Sequence, residues 1–246
     1  MRVSSVTILA HISHIFFDLD DTLLATRQAV LDGVHSAAIA MEKAGAKLSV
    51  REIEDLIINR VIPAVTSLNR YELFEAVAYE LGVSDAEIAV RGLSAYSAAI
   101  DIIPPFPETL PTLERLEGAG KILSLVTNGS LERQNYKLWG AKLAPYFQER
   151  VFLPQSINPP FFKPNTALFR HAMAKTDAQP ANSLMVGDRD IDMIGAKLAG
   201  MTTVGVIKVN RGQFDPSRDG CIKAGQPDFI IKNLTEIIAL LGLESH

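Results

Sequence analysis

His14-Ile15-Phe16-Phe17-Asp18-Leu19-Asp20-Asp21-Thr22 decides how the rest of the chain is read. Ile15, Phe16 and Phe17 form a short unbroken apolar run, which suits a strand buried on both faces. A strand is therefore predicted over His14–Asp18, and acidic residues crowd its carboxyl end. Open parallel sheets bind ligands just beyond the carboxyl ends of their strands. The question for every later strand is what it ends in.

Downstream, strand and helix signals alternate. Ile122–Val126 reads as a strand that ends in Thr127-Asn128-Gly129. A helix over Leu131–Trp139 follows, stopped by Gly140, then a short strand at Val151–Leu153. Asn165–Lys175 reads as a helix with Pro164 at its start. Leu184–Val186 is a strand ending in Gly187-Asp188-Arg189-Asp190-Ile191-Asp192, and the helix Ile191–Leu198 ends near Gly200. Strands at Thr203–Ile207 and Phe229–Ile231 and a helix at Thr235–Leu241 complete the pattern. Such alternation implies an α/β fold with a doubly wound parallel sheet.

The stretch from about residue 27 to 102 breaks the alternation. Val30, Val34, Ala37, Ala38 and Met41 recur at helical spacing up to Gly45. Ser49 with Glu52 and Ser84 with Glu87 have the spacing of capping boxes. Gly82 fits the stop of a helix ending in Ala76–Leu81, and Pro63 should end or kink the helix that begins near Val50. Four or five helices and no strand are expected here, followed by a stiff Pro104-Pro105-Phe106-Pro107 connector. An all-helical block between the first strand and the others is a domain inserted after strand one. Residues 1–13 read as an irregular or extra-strand leader.

Composition narrows the function classes. Hydrophobic residues make up 48% and charged residues 21%, so a packed core is expected rather than disorder. A formal net charge of -4 lacks the basic surplus of a nucleic-acid binder. The single cysteine, Cys221, cannot form an intrachain disulfide. No apolar run is long enough to span a bilayer, and Val6–Ala10 is too short for a signal-peptide core. The expectation is a cytoplasmic protein without membrane or nucleic-acid partners.

Taken singly, the polar residues at strand ends have mundane readings. An aspartate after a strand is often a helix cap or turn former, and Lys163 alone reads as a surface lysine. Together they make a site. Asp18, Asp20 and Asp188 brought close cannot all ionise without a counter-charge. A hard divalent cation supplies it, and Mg²⁺ suits carboxylate, carbonyl and water ligation. The five histidines are scattered and form no zinc cluster with a cysteine. Mg²⁺ and Lys163 beside free carboxylates suit a phosphoryl group, whose oxygens need positive partners.

The set Asp18-Leu19-Asp20-Asp21-Thr22-Leu23, Thr127-Asn128, Lys163-Pro164 and Gly187-Asp188-Arg189-Asp190-Ile191-Asp192, in that order, resembles the four motifs of the haloacid dehalogenase superfamily. The resemblance covers about residues 14–241, and the helical insertion looks like that family's C1-type cap. It implies a Rossmann-like core over 1–25 and 104–246 and a cap over 26–103. It implies that Asp18 is a nucleophile forming an aspartyl-phosphate, and that Asp20 acts first as acid and then as base. Thr127 and the main-chain N–H of Asn128 would hold the phosphoryl oxygens, and Lys163 would neutralise the nucleophile. Mg²⁺ would be held by Asp18, the main-chain carbonyl of Asp20, and Asp188. Behind these, Asp192 would orient Lys163 or a metal-bound water, and Thr22 would support the loop. Asp190 falls between motif positions and faces elsewhere.

Asp20 favours phosphoryl transfer, since a dehalogenase needs no acid two residues after its nucleophile. The expected activity is a phosphatase acting on a small phosphorylated metabolite. A phosphomutase on the same core, or a non-catalytic phosphate- or partner-binding module, remains an alternative. The inserted block offers only Lys43 and Lys47 for Schiff-base phosphonate chemistry and no evident apolar pocket around them. Specificity is expected from the cap, where Asn69-Arg70-Tyr71 interrupts the apolar pattern and Arg70 suits an anionic substrate group. Thr26 and Arg27 would line the entrance, and Tyr136 and Trp139 would be packing residues.

Overall fold

The structure, a computed structural model, describes residues 9–64, 70–82, 86–207 and 226–244. The chain divides into two compact units. One comprises the residues up to Ala25 with those from Pro104 onward, and the other is Thr26–Ile103.

The first unit is built on a six-stranded sheet. Its strands are β1 (His14–Phe17), β2 (Ile122–Val126), β3 (Val151–Phe152), β4 (Ser183–Gly187), β5 (Thr202–Val206) and β6 (Phe229–Ile231). All neighbours pair in parallel, in the order β3-β2-β1-β4-β5-β6. The chain winds outward from β1 to β3, then returns to β1's other side and winds out to β6. The reversal lies between β1 and β4, where such a sheet opens a crevice beyond its carboxyl ends. β1 and β4 are buried along their whole length, as both-faces-covered parallel strands must be.

Among its described residues, the second unit is all helical. Its helices are α1 (Thr26–Lys43), α2 (Val50–Asp55), α3 (Ile62–Ala64), α4 (Arg70–Glu80) and α5 (Ala86–Ala99). The stripe Val34, Ala37, Ala38 and Met41 of α1 is buried together with Ile53, Ile57, Leu73, Phe74, Val77 and Tyr96. At the head of α2, the Glu52 carboxylate accepts from the N–H and hydroxyl of Ser49 at 2.8 and 2.6 Å, the reach-back expected of that pair. Ser84, the cap expected for the other pair, lies outside the described residues. The helix that holds Pro63 is described as far as Ala64, and residues 65–69 after it lie outside the described residues. A wider π segment, Leu56–Val61, precedes it and carries the Ile62 N–H to Ile57 O, five residues back.

The core helices are α6 (Thr109–Gly118), α7 (Leu131–Gly140), α8 (Ala144–Phe147), α9 (Thr166–Lys175), α10 (Asp190–Leu198) and α11 (Glu236–Leu240). Phe16 of β1 packs with Leu168, Phe169 and Ala172 of α9 and Ala196 of α10. Its neighbour Phe17 makes an edge contact with Phe147 of α8. Successive strand residues point to opposite faces, so helices cover both sides and the sheet is doubly wound.

α6 and α8 lie where the sequence pattern predicts no helix. Pro111 sits in the first turn of α6, where its missing N–H does no harm. α7 runs through Gly140, and the left-handed residue after it is Lys142, at φ 60°. Tyr136 and Trp139 on that helix are 53% and 71% exposed and are not packing residues; Gln134, Lys137 and Leu138 are buried instead.

Candidate active site

Each motif arrives at the site because its strand ends there. Asp18 follows β1, and its N–H donates to Val186 O at 2.9 Å, which ties it to the end of β4. The chain then turns tightly: Leu23 and Leu24 both donate to Leu19 O, with Leu19 and Leu23 buried beneath the turn. Its outgoing limb pairs with the proline-rich segment, Ala25 N–H to Pro104 O and Phe106 N–H to Leu23 O, both at 3.0 Å. Thr22 is wholly buried in this turn and donates to Asp188 Oδ1 at 3.3 Å.

Lys163 is the hub. Its ammonium donates to Asp18 Oδ1 and Asp192 Oδ1, each at 2.6 Å, and to Val126 O at 2.9 Å. Three protons meet three acceptors, which fully satisfies a buried ammonium. Its main chain is held as well. Asn128 Oδ1 accepts from the Lys163 N–H at 2.9 Å, and Asn128 Nδ2 donates to Lys163 O at 3.4 Å. The Asn128 side chain thus binds the Lys163 loop, a task the sequence did not indicate. Asp192 sits on α10, where its other oxygen accepts from the Arg189 N–H at 3.2 Å. It fits only because residue 187 is glycine, since a Cβ there would lie 2.5 Å from Asp192 Oδ2. Asp190 accepts only from the adjacent Ile191 N–H among the hydrogen bonds of its carboxylate described here.

The electrostatics call for a cation. Asp18, Asp188 and Asp192 are buried, and each has a carboxylate oxygen within 4.8 Å of the others. Lys163 is bound to two of the trio, Asp18 and Asp192. Burial pushes the Asp18 carboxyl up to about 6. Lys163 opposes that rise, but Asp192 competes for the same ammonium and adds its own repulsion. Burial likewise works against the Lys163 charge, yet the two carboxylates outweigh it and raise its pKa. Three buried carboxylates this close repel one another, an arrangement able to hold a metal ion. Carboxylate oxygens suit a hard divalent cation.

Asp20 is paired separately. Lys137 Nζ, on α7, donates to both of its carboxylate oxygens, at 2.6 and 2.8 Å. One turn earlier, the buried Gln134 amide donates to Asn128 O at 2.8 Å, to Thr127 Oγ1 at 3.3 Å and weakly to Asp20 Oδ2 at 3.5 Å. Gln134 and Lys137 were missed in the sequence. The available signal was their spacing from Leu138 and Ala141, which places all four on one helix face.

Of the residues expected to set specificity, Asn69 lies outside the described residues and Arg70 is described only as the first residue of α4. Tyr71 is 68% exposed on α4. Thr26 and Arg27 open α1. These belong to the helical unit, whereas the whole constellation around Asp18 and Asp20 belongs to the first.

Comparison with known proteins places this arrangement. The family described as haloacid dehalogenase-like hydrolase matches residues 15–206. A glyceraldehyde 3-phosphate phosphatase of Methanocaldococcus jannaschii is 28% identical, over 94% of this chain and 97% of its own. A phosphoglycolate phosphatase of Neisseria meningitidis is 31% identical, over 93% of each chain. Among solved structures, a putative β-phosphoglucomutase from Thermotoga maritima superposes with a TM-score of 0.71 at 19% identity, covering 94% of this chain and 99% of that one. That likeness shows the fold. The matched residues include every motif assembled around Lys163, and the chain belongs to the haloacid dehalogenase-like hydrolases.

Proposed function

We propose that the enzyme is a Mg²⁺-dependent phosphatase of small phosphomonoesters that works through a phosphorylated Asp18. The observation that carries the reading is the buried Asp18–Lys163–Asp192 bridge beside Asp188, with Asp20 held two residues further along the chain. Asp18 and Asp188, with the Asp20 carbonyl, would hold Mg²⁺. When bound, the ion supplies charge neutralisation for the carboxylates and phosphoryl oxygens.

Lys163 holds Asp18 Oδ1, which leaves Oδ2 to attack phosphorus. The P–O ester bond breaks, and Asp20 gives its proton to the departing oxygen. Asp20 then takes a proton from water, whose oxygen attacks the same phosphorus. The acyl phosphate bond breaks, restoring the Asp18 carboxylate and releasing inorganic phosphate. Thr127 and the Asn128 N–H bind the phosphoryl oxygens throughout. Residues 26–103 serve as the cap that selects the leaving group, with Asn69-Arg70-Tyr71 as its specificity segment. The relatives named for phosphoglycolate and glyceraldehyde 3-phosphate direct the substrate search to two- and three-carbon phosphomonoesters.

The test is phosphate release by purified protein from a panel of such esters. Chelator-treated protein should be inactive and should recover with Mg²⁺, and Asp18→Asn should abolish turnover. Full activity in chelator, or a phosphate trapped on any residue other than Asp18, would overturn the reading.

A further inference from the structure

We propose that Lys137 is a positioning residue for Asp20, and that Gln134, one turn earlier on the same helix, holds the Thr127 loop. This rests on the phosphatase reading, in which Asp20 transfers a proton to the leaving oxygen. Lysine is seldom buried unless paired, and the Lys137 side chain is 9% exposed while its partner Asp20 is 33% exposed. The ammonium contacts both carboxylate oxygens of Asp20. A carboxylate held by both oxygens has one orientation, whereas one held by a single oxygen can pivot about that bond.

The Gln134 amide extends the clamp. Its Nε2 carries two hydrogens and faces three acceptors. The Asn128 carbonyl can only accept, so the nitrogen rather than the oxygen of the amide must face it. The amide oxygen, left buried, has no partner among the described residues. Gly129 makes room: a Cβ there would lie 2.7 Å from Gln134 Nε2. A single helix, α7, thereby sets Asp20 and Thr127 relative to each other, although neither residue lies on it.

If Lys137 acts through Asp20, its loss should be felt where the leaving oxygen needs a proton. An alkyl ester such as 2-phosphoglycolate needs one, and p-nitrophenyl phosphate, which expels a stable phenolate, needs it far less. The parameter to compare is kcat/KM, which reports the steps through P–O cleavage. General acid catalysis contributes roughly 100- to 10,000-fold. Lys137→Met should lower kcat/KM for 2-phosphoglycolate, or for whichever alkyl phosphate the wild type prefers, about 30-fold, and for p-nitrophenyl phosphate less than about 3-fold. Lys137→Arg should recover most of the loss. In an Asp20→Asn background, Lys137→Met should have no further selective effect. Lys137→Gln, which keeps a polar head, gives the same split if the Met variant does not fold. An equal decline for both esters in a folded variant, or no decline for either, overturns the proposal. A wild-type protein that hydrolyses neither ester with Mg²⁺ overturns the phosphatase reading itself, and this proposal with it.

Discussion

Asp192, on α10, accepts from Lys163 at 2.6 Å although Lys163 lies on the loop before α9, and Lys163 gives an equally short bond to Asp18. Asp192 is therefore one of the three acceptors that fix the Lys163 ammonium. Asp192→Asn weakens that hold without removing the side chain's volume. Residues that orient active-site groups from behind typically change activity or metal affinity by about 10- to 100-fold when replaced. The expected result is a fall of that size in kcat with the fold retained, as read by steady-state kinetics and circular dichroism. Unchanged kcat would show that Lys163 holds its place without Asp192.

Gly187→Ala tests the same arrangement from the sheet. The new methyl would meet Asp192 Oδ2 at 2.5 Å, in a site without slack. Overpacking of this kind costs about 1–3 kcal/mol. The variant should melt lower than wild type and lose turnover beyond what its stability explains. Wild-type kinetics in this variant would show that Asp192 can shift without consequence.

Thr22→Val removes the hydroxyl that donates to Asp188 at 3.3 Å and nearly preserves shape. Asp188 then loses a partner that fixes its orientation. Mg²⁺ affinity should fall about 10-fold, measured as the Mg²⁺ concentration for half-maximal activity. An unchanged value would remove Thr22 from the metal site.

The Asp18 carboxyl, raised by burial from 3.8 to about 6, makes metal-free stability depend on pH. A group whose folded pKa is raised binds its proton more tightly in the folded state. Its stabilising effect is complete below 3.8 and is lost as pH rises through about 6. Chelator-treated protein should melt at progressively lower temperature across that window. Asp18→Asn should flatten the profile, and Mg²⁺ should restore stability above it, since binding requires the ionised carboxylate. An identical slope in Asp18→Asn would assign the effect to another group.

Arg70→Ala addresses the helical unit. It should change the preference among acidic phosphomonoesters more than it changes turnover of p-nitrophenyl phosphate. A desolvated charge pair is worth about 2–5 kcal/mol and a wet one less than about 1. An equal decline for every ester would mean that Arg70 supports the helices rather than the substrate.

Most of the site was legible because its residues lie next to the strands that carry them. Asp18, Thr127 and Asp188 follow apolar runs directly, and parallel pairing of β1 with β2 and β4 aligns the ends of those runs. Lys137 and Gln134 were not legible in the same way. Their burial comes from how α7 meets Asp20 and Asn128, partners more than a hundred residues away in one case and on a loop in the other. Polar residues on a core-facing stripe look like a solvated face until the partner is known. Tyr136 and Trp139 misled for the converse reason, being large and apolar yet exposed. α6 was hidden behind the connector read at Pro104, Pro105 and Pro107, and by Pro111, which sits in its first turn where a helix tolerates it.

The pairing of Ala25 with Pro104, and of Leu23 with Phe106, brings the two ends of the helical insertion side by side on the first unit. From the viewpoint of that unit, everything from Thr26 to Ile103 is a single closed loop whose mouth is already stitched shut. Loop-closure entropy grows only slowly with length, so the size of what hangs from the mouth matters little to the sheet beneath. The junction works as a socket: helices can be lengthened, exchanged or reduced to a short turn there while the residues around Asp18 keep their places. On the proposed reading, selectivity then changes by replacing the insert while the chemistry stays fixed in the sheet.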